Sequence, residues 1–291
     1  MELINIIRSK IDSTVKYVYR SDGAILEFSY IDKRDGKDII CVPTQSACKL
    51  GCKFCFMSDC DIPVRNLTWD ELHQGITEVV TKHATDNKVL LVSFMGCGEP
   101  LCNVKSVTLT CNLARIRWLD RSTCTPYETA RFAVASLIPG QKAMVLLTDQ
   151  VREHQLKMKF HLSLHSPFDT VRNVLMPAAL NVCESLDLVE KYMHVTGNSS
   201  GIHYALMDGI NDREIDMDIL ASLIQNRNMS VKFLAYNEKT GLSNLKRSER
   251  VGVCRDILDS HGIKTGYYEL PGKDVGSSCG QFLMDYYKAK V

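Results

Sequence analysis

Six short apolar runs, at 38–42, 88–95, 130–136, 157–164, 202–207 and 231–236, alternate with segments of helical periodicity. This alternation limits the fold more than any other feature. Consecutive strands separated by helices pair in parallel through right-handed crossovers. The runs are apolar throughout or nearly so, as strands covered by helices must be. Between them, Thr68-Trp69-Asp70-Glu71 reads as a capping box ahead of Leu72, Ile76, Val79 and Val80 on one helical face. Leu186, Val189, Tyr192 and Met193 keep the same spacing, as do Ile215, Ile219, Leu220, Leu223 and Ile224. A helix with Val253, Ile257 and Leu258 precedes a short strand near 266–269. At the other end, 14–31 alternates about Ser21-Asp22-Gly23-Ala24, a hairpin signal. The expectation is an α/β fold, an open, partial (β/α)6 TIM-like barrel over 38–291. An extension over 1–37 would carry the hairpin. A doubly wound sheet fits the same alternation, because strand order is not written in the sequence.

Composition enters through the cysteines. There are 12 in 291 residues, too long a chain for a disulfide-stapled scaffold. The start of the chain lacks the basic-then-apolar pattern of a signal peptide, and no apolar run approaches the ~18 residues of a membrane span. The expectation is a cytoplasmic protein with reduced thiols and no membrane partner. Clustered cysteines then hold metal or do chemistry. Cys48, Cys52 and Cys55 form a C-x3-C-x2-C on the loop after the first parallel strand, at the end of the sheet where such folds place their chemistry. Three thiolates leave one iron of a four-iron cluster open to a chelating ligand, where such clusters otherwise take four cysteines. A structural zinc site would also need four ligands, with Cys60 offered as the fourth. After the second strand comes Gly96-Cys97-Gly98-Glu99-Pro100. Its glycines allow close backbone approach to a ligand, and Glu99 can accept from an ammonium group.

Cysteine triplet and Gly-Glu-Pro turn together resemble the radical S-adenosylmethionine (SAM) superfamily. Further segments narrow the resemblance. Cys41-Val42-Pro43-Thr44-Gln45, Arg65-Asn66-Leu67, Ser163-Leu164-His165, Met207-Asp208-Gly209-Ile210-Asn211-Asp212, Tyr236-Asn237 and Cys279-Gly280-Gln281 follow in the order and spacing of the RlmN/Cfr family of radical-SAM RNA adenine methyltransferases. The similarity runs from about Asp22 to the C-terminus.

That resemblance implies a radical-SAM barrel with a C-terminal catalytic loop. It implies a 4Fe-4S cluster on Cys48, Cys52 and Cys55, and two SAM molecules per turnover. Gly98, Glu99, Ser163, His165 and Asn237 would hold SAM. Cys279 would accept a methyl group and carry it, as a radical, to C2 or C8 of an adenine. Cys41 would deprotonate that carbon and form a transient disulfide with Cys279, and Glu27 would manage protons nearby. The substrate implied is transfer or ribosomal RNA, and the electron donor a flavodoxin or ferredoxin, with the enzyme a monomer.

Three features depart from the family pattern. About 20 residues precede the hairpin turn where the family has an RNA-contacting domain, which reads as a short form. The strand over 131–136 offers only Ser136 where the family has a Ser/Thr-rich strand, and 267–274 lacks the family's basic residues. Net charge is only +1, from 35 basic and 34 acidic residues, where a protein docking on folded RNA normally shows a basic face. The same chemistry on a small adenine-containing molecule is therefore the alternative. Lys232, Lys239, Lys246, Arg247 and Arg250 read as a solvated surface. The other seven cysteines, Cys97 and Cys102 included, read as packing thiols.

Overall fold

The computed structural model describes residues 1–32, 36–59, 61–83, 85–118, 127–239, 244–269, 271–276 and 281–288. Among these residues ten strands form one sheet in unbroken chain order. They are β1 (Glu2–Arg8), β2 (Val15–Ser21), β3 (Ala24–Asp32), β4 (Lys37–Cys41), β5 (Val89–Phe94), β6 (Thr129–Ser136), β7 (Met158–Ser163), β8 (Ser200–Leu206), β9 (Ser230–Ala235) and β10 (Thr265–Tyr268). The pairs from β1 to β4 are antiparallel and those from β4 to β10 parallel. Order without reversal is the barrel-type solution, and it excludes the doubly wound alternative, which needs a switch point. The helices are α1 (Trp69–Thr81), α2 (Val104–Trp118), α3 (Gln141–Glu153), α4 (Asp169–Leu175), α5 (Val182–Thr196), α6 (Glu214–Ile224), α7 (Val251–Ser260) and α8 (Gln281–Lys288). None of the helices among the described residues is long and apolar enough to cross a membrane.

Period-two alternation assigns the two faces of the parallel strands. Ile40, Val92, Phe132, Phe160, Tyr204 and Phe233 face outward and are buried under the helices in the main core. Their in-strand neighbours Cys41, Ser93, Ala133, His161, His203 and Lys232 line the interior. The α1 capping box forms in full, and Leu72, Ile76, Val79 and Val80 are buried against the sheet, each contributing roughly 1.5–3 kcal/mol.

The hairpin turns at Asp22 and Gly23, both at positive φ, as a two-residue loop of the primed type demands. Strand β1 was not expected. It pairs with β2 through a bulge between Leu3 and Asn5, which breaks the alternation that would reveal it. Helices α2 and α3 were also unmarked. Their buried faces include Thr108, Thr110 and Thr148, which read as polar in the sequence. Thr108 and Thr148 spend their hydroxyls on the carbonyls of Val104 and Met144, one turn back.

Arg172 of α4 fastens the working ends of the strands. It is fully buried, and its guanidinium donates to the carbonyls of Leu137, Ser163, Leu164 and Leu180. Burial lowers its pKa to about 10, which still leaves it charged at neutral pH. Lysine cannot reproduce that planar fork. Arg172→Lys is expected to leave at least one buried carbonyl unpaired and cost about 2 kcal/mol. Thermal unfolding would show this as a Tm lower by about 4–8 °C. An unchanged Tm would contradict the assignment.

Candidate active site

The inner face of the sheet and the loops at its C-terminal end enclose a cavity of about 400 Å³. Cys48, Cys52 and Cys55 all line it, with Leu50 and Phe54 between them. The loop that carries them is held from below and beside. Lys53 N–H donates to the Leu175 carbonyl at 2.8 Å, and Cys55 N–H to the Cys52 carbonyl at 3.0 Å. Lys239, 2% exposed, donates to the carbonyls of Lys53 and Cys55 and to Ser58 Oγ. Lys239 is thus not part of a solvated basic surface, because its ammonium is used up on the cysteine loop. Lys232, read the same way, lines the cavity instead.

Burial pushes the Cys48 thiol up to about 11 and that of Cys52 higher still, and Cys55 adds to both. Thiols so placed ionise only when a cation takes them, which is how a metal-bound thiolate forms. Among the described residues no three His, Cys, Asp or Glu side chains converge on a single ion. Convergence is not what a cluster asks for, since each thiolate would bond a different iron. Three soft donors on one cavity wall fit a 4Fe-4S cluster, and they do not complete the tetrahedral set of a zinc knuckle. Cys60 lies outside the described residues.

The Gly-Glu-Pro turn packs directly on the chain between Cys41 and Cys48. Thr44 N–H donates to the Cys97 carbonyl at 2.7 Å, and Glu99 N–H to Gln45 Oε1 at 2.9 Å. Gly98 has φ +101°, and a Cβ there would lie 2.7 Å from the Gln45 nitrogen. A Cβ on Gly96 would lie 2.9 Å from the Val42 carbonyl oxygen. Only glycine permits this contact. The Glu99 side chain is buried and accepts from Leu101 N–H at 2.9 Å. Burial nevertheless raises its pKa to about 7, against the hydrogen bonds that lower it. Among the described residues it is the one carboxylate that lines the cavity.

Ser163, His165 and Asn237 stand at the ends of β7 and β9 and line the same space. His165 adopts φ +55°, and its Nδ1 accepts from Ala205 N–H at 2.9 Å. Burial, then the Arg172 charge, lowers its pKa to about 3. It is therefore neutral with its proton on Nε2, a donor. The Phe54 ring meets it edge-on at 4.7 Å.

Cys41 ends β4, with Ser29 and Ser93 as register partners on either side. Burial, then the Glu27 charge, pushes its thiol up to about 12. Glu27 pairs with Lys16 at 2.8 Å in a buried ion pair that sequence reading missed. Lys16 also donates to the Gly276 carbonyl at 2.9 Å and stands over the Phe282 ring of α8. Farther along, Gln281 Oε1 accepts from Asn237 Nδ2 at 3.2 Å. A second apolar cluster backs this arrangement. Val18, Ile25 and Leu283 pack there with Ala47, Met57 and Cys97, tying α8 to the hairpin and the cysteine loop. Cys279 lies outside the described residues. Its described neighbours in sequence, Gly276 and Gln281, are both anchored at this site.

A sheet in chain order, with three cysteines after its first parallel strand and a Gly-Glu-Pro turn after its second, defines a radical-SAM enzyme. No protein-family model matches the chain. It is 28% identical over 288 residues to a protein of Finegoldia magna named probable dual-specificity RNA methyltransferase RlmN, covering 97% of this chain and 78% of that one. A protein of the same name from Prochlorococcus marinus is 29% identical, over 93% of this chain and 74% of its own. A solved radical SAM methyltransferase from Sphaerobacter thermophilus shares the fold with a TM-score of 0.80 at 23% identity, covering 96% of this chain and 80% of that one. These likenesses support the resemblance to the RlmN/Cfr family of radical-SAM methyltransferases.

Proposed function

We propose that the chain methylates an adenine carbon, C2 or C8, of transfer or ribosomal RNA through a methylated Cys279. The observation that carries this reading is the anchoring of Gly276 on Lys16, beside Glu27 and Cys41, and of Gln281 on Asn237. The four sequence positions between these anchors include Cys279. The names of the relatives support RNA as the substrate.

Cys48, Cys52 and Cys55 would hold the 4Fe-4S cluster, which supplies the electron that cleaves SAM to a 5′-deoxyadenosyl radical. Glu99 would accept from the ammonium group of SAM, and the His165 Nε2–H would donate to its ribose or carboxylate. Gly96 and Gly98 let the turn that carries Glu99 seat against the segment between Cys41 and Cys48. Cys279 takes the methyl group of a first SAM by displacement. After loss of a hydrogen atom to the radical from a second SAM, its methylene carbon adds to the base. The adduct radical would give one electron back to the oxidised cluster, and Cys41 removes the proton from the substituted carbon, with Glu27 as the nearby carboxylate. After passing that proton on, Cys41 thiolate bonds to Cys279 sulfur as the sulfur–methylene bond breaks, and the methylene carbon takes a proton to leave as the methyl group of the base. The protein would work as a monomer in the cytoplasm with a flavodoxin or ferredoxin as donor.

The test is incubation of reconstituted protein with labelled SAM, reductant and RNA, followed by nucleoside and peptide mass spectrometry. Methyladenosine and S-methylated Cys279 are expected. Their joint absence sinks the proposal.

A pH dependence follows from Glu99. A carboxyl raised to about 7 is neutral below that value, so taking up an ammonium ligand there must release a proton. Affinity for SAM is expected to rise about tenfold per pH unit up to about 7 and to level off above it. Equilibrium dialysis at pH 6 and pH 8 should differ about tenfold. Glu99→Gln should bind weakly at both, without the slope.

A further inference from the structure

The cavity has a polar floor that the chemistry above does not use. His161 on β7, His203 on β8 and Lys232 on β9 line it below the strand ends that carry Ser163, His165 and Asn237. The two imidazoles stack with centroids 4.1 Å apart and planes at 24°. They are 5% and 6% exposed, and among the described residues His161 Nδ1 and His203 Nε2 are buried without a hydrogen-bond partner. Buried polar atoms in folded proteins are paired as a rule, so these nitrogens, behind the cavity wall, leave both rings free to turn a nitrogen toward a ligand's polar edge.

The floor's charge narrows the ligand. Burial, reinforced by Lys232 and Lys159, lowers His161 to about 3 and His203 well below the usual imidazole value. Both rings are therefore neutral, and each has one N–H donor and one acceptor nitrogen. Lys232 adds a donor-only ammonium, 5.7 Å from the Tyr268 ring centroid. Among the described residues the only lining carboxylate, Glu99, sits with the Gly-Glu-Pro turn and not on this floor. A set of neutral donors and acceptors beside one cation complements a flat heterocycle with an amine next to a ring-nitrogen acceptor. Adenine has that edge. Cys41, at the end of β4, lines the same cavity.

Resting on the function proposed above, we infer that His161, His203 and Lys232 recognise the methyl-accepting adenine. The base enters the lumen as an unstacked nucleotide. Its amine-bearing edge meets the two imidazoles, with a ring nitrogen toward Lys232, and the target carbon stays near Cys41. Enzymes that work on a base inside a polynucleotide take it out of the stack and read its edge in this way.

Two measurements test this. The first follows the imidazole nitrogens by NMR in reconstituted, ¹⁵N-histidine-labelled protein, with signals assigned through His161→Phe and His203→Phe. Adenosine is expected to shift the His161 and His203 signals, and inorganic phosphate to leave them in place. A response to phosphate alone would make the floor an anion site and overturn the inference. The second compares RNA methylation by the two Phe variants and by Lys232→Met, at matched iron content and measured SAM affinity. Phenylalanine keeps the ring and removes the nitrogens, so kcat/KM for RNA should fall at least tenfold, a loss of about 1.4 kcal/mol in transition-state binding. Variants that methylate RNA at the wild-type rate would overturn it. If the wild-type chain itself makes no methyladenosine, the functional reading fails separately, and the adenosine titration still decides the floor.

Discussion

Cys41→Ala is expected to halt the enzyme after the new carbon–carbon bond has formed. Methyladenosine release should fall by about 10²–10⁴-fold, the range for loss of a positioned general base. RNA should accumulate covalently attached to the protein, because without the thiol neither the proton nor the Cys279 link can be removed. The physical basis is the placement of Cys41. Its thiol lines the cavity, flanked in register by Ser29 and Ser93, which are not bases at neutral pH. Burial pushes that thiol up to about 12, so it rests protonated and must pass its proton on before it can accept one. Glu27, whose charge is the second cause of that shift, is the neighbouring carboxylate. Cys41→Ser should trap the same adduct, since a hydroxyl can form no disulfide. The check is a denaturing gel of labelled RNA with peptide mapping of the attached residue. Free, fully methylated RNA from Cys41→Ala would remove Cys41 from the mechanism.

Much of this site was legible in the sequence, and the reason is local chemistry. The three loop cysteines, the Gly-Glu-Pro turn and Ser163-Leu164-His165 are short segments whose residue types declare a task by themselves. The strands were legible because burial on both faces leaves an unbroken apolar run. What stayed hidden depends on contacts between distant segments. Lys16 reads as a solvated strand charge until β3 and the segment before α8 close over it. Lys239 reads as surface until the cysteine loop brings three oxygen acceptors to its ammonium. His161 shares inward parity with Ser163 and His165, so period two could have placed it in the lumen, but its stacking on His203 needs the β7–β8 register. Strand β1 was lost to its bulge, and the buried threonines hid α2.

Lys16→Met is expected to destabilise the fold and disarm the site by two separable routes. The Lys16 and Glu27 side chains are 1% and 8% exposed, and their ion pair is 2.8 Å long. Removing one partner leaves a buried charge uncompensated, which costs about 3–5 kcal/mol. Thermal unfolding should show a Tm lower by about 6–15 °C. The second route is the carbonyl of Gly276, which loses the donor that holds the stretch before Cys279. A double variant separates the two. Lys16→Met with Glu27→Leu replaces a buried ion pair by packed apolar groups, an exchange that is often neutral or stabilising. Its Tm should recover most of the loss. Methylation of Cys279 from SAM, read by mass spectrometry, should nevertheless remain about tenfold slow, which corresponds to about 1.4 kcal/mol of lost positioning. That step comes before any proton transfer to Cys41, so the missing Glu27 carboxylate does not account for a slow rate there. Recovery of both Tm and Cys279 methylation in the double variant would show that Lys16 serves only to neutralise Glu27. Recovery of Tm alone would leave the ammonium as the group that holds the catalytic segment against the hairpin.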